Sequence, residues 1–475
     1  MLKVLFAVSE VHPLIKTGGL ADVAGSLPAA LCEQRNDVRI ILPNYHGIAK
    51  QLGRTRCMAR IQMSVGEVRI LLGQIPGSEV RFWLVDYPGY VDRPGNPYLD
   101  ANGEPWADNA ERFALFCQVV VAIAMRRTSL KWRPDIIHCH DWQTGLVPAL
   151  LSLEQQAPPT VFTIHNLAYQ GVFPYETFIR LGLPDSLWSY QALEFHGQMS
   201  FMKGGLVFSD RITTVSPNYA NEIQTTEFGC GLEGLLAYRN EVLSGILNGI
   251  DTEQWNPESD PYVQSHYSVR DLSNKLSNKK SLLAKFGLPQ RDGMLIGMVG
   301  RLVEQKGIDI VLEAMPKLIQ LPLQLVLLGS GDRQFEKQMT DLAEQYPEQL
   351  GVHIGYDEAL AHQIEAGSDV FLMPSRFEPC GLNQLYSLRY GTLPIVRNVG
   401  GLADTVVNVD KTNLELGRAN GFVFGGDSST DLLSCIHRAL DLFDDKLAWK
   451  RLQITAMLHD HSWYQSAQEY SLLYR

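Results

Sequence analysis

Cations, carboxylates and imidazoles stand beside glycine turns at several points of this sequence. In "GRLVEQKG" (300 to 307), a strand-like run ends at Gly300, and Arg301 and Lys306 flank a turn that leads into a helix-like run. Two cations beside strand-end backbone suit a diphosphate, because arginine offers a planar fork and lysine a point charge. In "PSRFEPCGLNQLYSLRYG" (374 to 391), Glu378 sits in a loop ahead of a helix that starts near Leu382. A carboxylate there has two readings: it meets sugar hydroxyls or developing positive charge, or it complements a helix dipole. Gly381 lets the amides of Leu382 and Asn383 approach a phosphate.

"HCHDWQTG" (138 to 145) gathers His138, His140 and Asp141 at a strand end. Alternate strand residues share a face, so the two histidines lie together and Asp141 does not, which weakens a metal site. Asp141 is then placed to meet sugar hydroxyls, with Trp142 or the imidazoles packed nearby. "TIHNLAYQG" (163 to 171) repeats the pattern with His165, which either touches substrate or satisfies backbone groups in a buried turn. One motif occurs twice, as "KTGGLADV" (16 to 23) and "VGGLADTV" (399 to 406), each between a strand-like and a helix-like run. A glycine turn in that setting, such as Gly18 and Gly19 after Lys16, lets backbone pass close to an anion. A structural turn used twice is the rival reading of the repeat.

The elements that must position these residues alternate along the chain. Strand-like runs "KVLFAVS" (3 to 9), "VRIILP" (38 to 43), "DIIHCH" (135 to 140), "TVFTIH" (160 to 165) and "RITTVS" (211 to 216) lie between helical patterns. Turn formers cluster at "NGIDTEQWNPE" (248 to 258), and alternation restarts at "MLIGMVG" (294 to 300), "LQLVLLG" (323 to 329), "DVFLMPS" (369 to 375) and "LPIVR" (393 to 397). This predicts an α/β protein of two doubly wound, Rossmann-like domains, whose ligands bind at the carboxyl ends of strands in a cleft between them.

Bulk properties narrow the function. The chain has 475 residues, 45% of them hydrophobic, and 41 basic against 52 acidic side chains give a net charge of -11. That charge argues against nucleic acid or an anionic membrane as partner. No apolar run approaches the roughly 18 residues of a membrane span, and no basic-then-apolar leader opens the chain. Seven cysteines without CxxC spacing suggest free thiols in a reducing compartment, hence the cytoplasm. "GSGDRQ" (329 to 334) has glutamine where the dinucleotide fingerprint needs its last glycine, which disfavours a dehydrogenase, and neither a GxxxxGK[ST] loop nor a GxSxG elbow occurs.

The ordered set "KTGGLADV", "HDWQTG", "FTIHNLAYQG", "ITTVSPNYA", "LNGID", "GRLVEQKG", "PSRFEPCGLNQL" and "GGLADTV" resembles the bacterial glycogen synthases and plant starch synthases over essentially the whole chain. The resemblance implies the glycosyltransferase B fold: an N-terminal Rossmann-like domain over 1–247, a C-terminal nucleotide-sugar domain over 248–458, and a last helix over 459–475 crossing back. It implies a retaining transfer of glucose from ADP-glucose to the 4-hydroxyl of an α-1,4-glucan such as glycogen, with no metal and no cofactor. Lys16 is then expected near the diphosphate and glucosyl unit, Arg301 and Lys306 at the leaving diphosphate, and Glu378 close to the transferred glucose. Asp141 and His165 are expected to line the sugar site. Asn383 and Val399 stand where the family commonly has threonine, which bears on phosphate contacts. A sucrose- or trehalose-type transferase, a nucleotide-sugar epimerase and an inactive glucan-binding scaffold are the rival readings.

Overall fold

Nearly continuous apolar runs, of the kind a strand needs when both sheet faces are covered, build two sheets whose central strands are parallel. The computed structural model describes residues 1–75, 80–100 and 102–475. These divide into two units, Met1–Asn248 with Trp463–Arg475, and Gly249–Ser462.

In unit 1 the strands are β1 (Lys3–Ala7), β2 (Asp37–Pro43), β3 (Arg56–Met63), β4 (Gly66–Gln74), β5 (Arg81–Asp86), β6 (Ile136–His140), β7 (Thr160–Ile164), β8 (Val172–Pro174), β9 (Glu194–Phe195), β10 (Gln198–Ser200), β11 (Arg211–Thr214) and β12 (Leu243–Gly245). Nine form one sheet in the order β12-β11-β7-β6-β1-β2-β5-β4-β3, and β8-β10-β9 form a small separate one. Strands from β12 to β5 pair in parallel, whereas β5-β4-β3 is an antiparallel edge. The runs read as strands above do not include β3 and β4, whose exposed and buried residues alternate because one face is wet. The helix Trp463–Leu473 also belongs to unit 1: Tyr470 is buried, and Ser471 Oγ accepts from Asn36 Nδ2 at 3.0 Å.

Unit 2 holds β13 (Met294–Val299), β14 (Leu323–Gly329), β15 (Leu350–Ile354), β16 (Val370–Met373), β17 (Leu393–Arg397) and β18 (Phe422–Phe424) in one parallel sheet, ordered β15-β14-β13-β16-β17-β18. Apolar side chains on both faces pack under helices such as Ile308–Leu318, where Ile308, Val311, Met315 and Leu318 recur at helical spacing and are buried.

Strand order reverses once in each parallel sheet, between β1 and β6 in unit 1 and between β13 and β16 in unit 2. Side-by-side strands whose connections leave in opposite directions open a crevice at their carboxyl ends, where ligands of such sheets bind. Lys16, Asp141, Arg301 with Lys306, and Glu378 follow these four strands, while His165 follows β7 and the second glycine motif follows β17. Among the described residues no helix is long and apolar enough to cross a membrane.

Candidate active site

In unit 2, β13 runs into Arg301 and a short helical turn, Glu304–Lys306, while β16 runs into the loop that carries Glu378. The two loops are stitched together. Arg376 N–H donates to Gln305 O at 2.8 Å, and Gln305 Nε2 donates to Phe377 O at 3.3 Å. Lys306 Nζ then reaches Glu378 Oε2 at 2.5 Å, and Ser375 Oγ donates to the same oxygen at 3.0 Å. The Glu378 side chain is 8% exposed and that of Lys306 22%, so the pair lies at the edge of the interior, where opposite charges interact far more strongly than in water. Glu378 is therefore half of an ion pair, a placement that local sequence did not distinguish from a helix-end charge. Arg301 lies outside the pair: its exposed guanidinium donates to Gln305 Oε1 at 3.1 Å, so Gln305 couples it to the Glu378 loop. Arg376 ties that loop to Asp309 and Asp427.

Glycines let this backbone close up. Gly307 ends the Lys306 turn at φ +70°, and a Cβ there would stand 2.2 Å from Pro374 O. A Cβ on Gly400 (φ +45°) would stand 1.9 Å from Glu378 O, and one on Gly401 would stand 2.3 Å from Cys380 O. Gly401 N–H donates to Glu378 O at 3.1 Å. The second copy of the glycine motif thus serves as the seat of the Glu378 loop. Gly381 is left-handed at φ +73°. The following helix is Asn383–Arg389 with Leu382 at its cap, and the Asn383 side-chain amide donates to Val299 O at the end of β13 at 2.8 Å.

The first copy is built differently. After β1, Glu10 is buried and gathers the loop around itself: it accepts from Thr17 N at 2.6 Å, Thr17 Oγ1 at 2.9 Å, Gly18 N at 3.3 Å and Tyr98 OH at 3.0 Å. Burial raises its pKa against the opposing pull of the Thr17 bonds. Lys16 Nζ pairs with Asp22 Oδ1 at 2.8 Å in the first turn of helix Gly19–Glu33. A Cβ on Gly18 would meet nothing within 4 Å, and its φ of -159° is open to any residue. No packing demand calls for glycine there. Open space lies where its side chain would stand.

Beyond β6, Asp141 adopts φ +55°, ψ -177°, a region sparsely populated by residues other than glycine and costing about 1–3 kcal/mol. Its Oδ1 accepts from His165 N at 2.7 Å and from Asn166 N at 3.4 Å, which joins the ends of β6 and β7. Burial raises the Asp141 carboxyl to about 7, opposed by those two amides. The imidazole of His165 is pushed down to about 3 by burial and is neutral in ordinary conditions. His138 and His140 share a face as alternation requires, with ring centroids 4.1 Å apart. His138 uses both nitrogens, on Tyr474 OH at 2.7 Å and Thr163 Oγ1 at 2.6 Å. Trp142 packs against Phe113, Phe173 and Phe201. Among the described residues no three histidine, cysteine or acidic side chains converge as a metal site requires.

Sequence reasoning singled out Arg301, Lys306, Glu378, Asp141, His165 and Lys16, but missed Glu10, Ser375 and Gln305. A charged residue three places after the end of β1 and eight before Gly18 was the available signal for Glu10.

Two strand-order reversals, each lined with polar and charged strand-end residues, fit an enzyme acting on a nucleotide-linked sugar. The chain matches the model of the starch synthase catalytic domain over residues 3–238 and that of glycosyl transferases group 1 over residues 280–450, so it is a glycosyltransferase. It is 54% identical to glycogen synthase 1 of Methylococcus capsulatus, with 100% of this chain and 96% of the relative covered, and 53% identical to glycogen synthase of Cellvibrio japonicus, with 100% and 99% covered. The catalytic domain of starch synthase IV from Arabidopsis thaliana, solved bound to ADP and acarbose, superimposes with a TM-score of 0.89 at 33% identity, covering 100% of this chain and 98% of that one. Sucrose-phosphate synthase from Thermosynechococcus elongatus shares the fold at 17% identity, with a TM-score of 0.61 and coverage of 100% and 98%. The chain belongs to the family of bacterial glycogen synthases and plant starch synthases.

The two glycine motifs should respond differently to a methyl group. Gly400→Ala is expected to lose more than about 2 kcal/mol of stability in denaturant titration, because backbone has to move. Gly18→Ala is expected to stay within about 0.5 kcal/mol of the parent yet turn over more slowly. Equal destabilisation would refute the distinction.

Asp141 gives a pH signature. Its pKa rises from 3.8 unfolded to about 7 folded, so the folded state holds the extra proton between those values. The stability that the neutral carboxyl confers is fully present below pH 3.8 and is lost as pH climbs through about 7. Asp141→Asn should therefore gain stability relative to the parent across that window and run parallel above it, measured by unfolding at successive pH values.

Proposed function

We propose that this chain transfers glucose from ADP-glucose to the non-reducing 4-hydroxyl of an α-1,4-glucan such as glycogen, retaining the α configuration and releasing ADP. The observation that carries the reading is the Lys306–Glu378 pair at the β13/β16 reversal, beside Arg301. It stands in a chain more than half identical, end to end, to proteins named glycogen synthase.

In this reading the bond from C1 of glucose to the diphosphate oxygen breaks, and the acceptor's 4-oxygen bonds to C1 on the same face. The acceptor's proton goes to the departing diphosphate. Charge separates as this happens, with oxocarbenium character on the sugar and negative charge on ADP. Lys306 and Arg301 stabilise the diphosphate, and the Glu378 carboxylate stabilises the glucosyl unit. Lysine and glutamate already held at 2.5 Å need little reorganisation when the charges appear, which is the source of a large electrostatic contribution. Lys16, with the backbone at Gly18 and Gly19, serves the diphosphate and glucosyl unit. Gly381, Leu382 and Asn383 supply amides to the phosphates. Asp141 and His165 serve the sugar hydroxyls. Side chains and amides carry the phosphate charge, and no step calls on a metal or cofactor. Unit 2 is the nucleotide-sugar side of the enzyme, unit 1 the acceptor side, and the cytoplasm its location.

Parallel reactions with each donor and glycogen, followed by nucleotide release and incorporation into polymer, test this directly. ADP-glucose should exceed UDP-glucose by at least about tenfold in kcat/KM, which takes only about 1.4 kcal/mol of differential transition-state binding. Equal or reversed preference would overturn the donor assignment. Nucleotide released without glycogen would favour a different reaction, and no release at all a scaffold.

Arg301→Ala should keep its fold and lose about 2–4 kcal/mol of transition-state stabilisation, seen in kcat at saturating donor. A near-parental kcat would remove Arg301 from the leaving-group role.

A further inference from the structure

His140 is buried, unused by the reaction as proposed, and bonded to a histidine that the reaction does use. Its Nδ1 lies 2.9 Å from His165 Nε2. The ring packs against Phe6, 4.0 Å away between centroids, and His138, 4.1 Å away, and those two rings lie 5.2 Å from each other. His138 is fixed in turn by Tyr474 and Thr163, so the His140 ring packs against a neighbour that is itself held in place. The other nitrogen of His140, Nε2, is buried and meets no hydrogen-bond partner among the described residues.

Between two neutral imidazoles one nitrogen donates and the other accepts, and the orphan atom decides which. Were His165 the donor, His140 would carry its proton on Nε2, as a buried N–H with nothing to receive it. Were His140 the donor through Nδ1, its Nε2 would be a bare lone pair. Orphaned buried donors are rarer than under-used acceptors, so the second arrangement wins. The tautomer follows from the bond network. His165, accepting at Nε2, then holds its own proton on Nδ1, the ring atom that the described residues leave unengaged.

We infer that His140 is a positioning residue that locks His165 as the Nδ1–H tautomer, a neutral donor for an oxygen of the bound sugar. This deepens the proposed function and rests on its assignment of His165 to the sugar site. Burial keeps both rings uncharged, so that the donor persists across ordinary pH. A tautomer free to choose would present a lone pair to a hydroxyl part of the time, and the sugar would lose a defined partner.

The test has a structural and a kinetic arm. Long-range proton–nitrogen correlation spectra of the full-length protein, labelled with 15N at histidine, read the tautomer directly, with His165→Asn assigning the signals. His165 Nδ1 should show a protonated, pyrrole-type shift and Nε2 an unprotonated, pyridine-type shift; the reverse pattern overturns the proposal whatever the kinetics. His140→Phe keeps an aromatic ring against Phe6 and His138 but removes the donor. The His165 shifts should then move toward an averaged pattern, and kcat should fall about tenfold, the scale of one hydrogen bond of ordinary net strength, with KM for the donor changed less. His140→Asn, which restores an N–H donor, should recover part of that loss. His140→Phe with unmoved shifts and unchanged kcat refutes the role. If the wild-type shifts are as expected but His165→Asn transfers glucose at the parental rate, the tautomer lock stands and the sugar-site reading of His165 fails.

Discussion

A lysine from one strand end and a glutamate from the end of the strand beside it in the sheet are held against each other in unit 2, and the contact joins both loops. An ion pair this sheltered is unforgiving: removing one partner leaves the other charge poorly solvated, at a cost of several kcal/mol. The backbone around it shows what is needed to prevent that. Gly307 brings the lysine turn onto Pro374, Gly400 and Gly401 admit the glutamate loop, Ser375 donates to the same Glu378 oxygen as the lysine, and Gln305 holds the loop backbone at Phe377. Without the pair, these glycines would weaken the chain with no return.

Topology decides where such a contact can form. In both sheets the chain leaves the first strand in one direction and returns on the other side, so the loops after β1 and β6, and after β13 and β16, are left side by side. Glu10 in one unit and Glu378 in the other each organise such a loop, but by different means. Glu10 is spent on amides, hydroxyls and a phenol, which makes it a scaffold for Lys16 and Gly18. Glu378 is spent on a cation and one hydroxyl, which keeps charge at the loop surface.

The doubly wound fold was legible because its parallel strands, buried on both faces, are written as apolar runs. The positions of Arg301, Lys306, Glu378 and Asp141 were legible because charged residues in the glycine-marked loops that follow such runs have few structural reasons to be there. The antiparallel edge β3 and β4 was not, since half-wet strands dilute the apolar signal. Nor was the difference between the two glycine motifs. "GGLAD" is the same string in both, but Gly400 faces a carbonyl oxygen and Gly18 faces open space, and only tertiary contact separates them. Gln305 and Ser375 escaped for the same reason. Neutral side chains announce nothing in sequence, and their partners lie 72 and 3 positions away.

That Lys306 and Glu378 act as one electrostatic unit is the central claim, and a double-mutant cycle on turnover measures it. Rates for Lys306→Ala, Glu378→Gln and the double variant would be compared at saturating ADP-glucose and glycogen, with native circular dichroism required of each. If the pair is a unit, the double variant loses little more than the worse single variant, since either change alone already dismantles the arrangement. Losses that simply add, within about 0.5 kcal/mol, would show two independent residues and contradict the account.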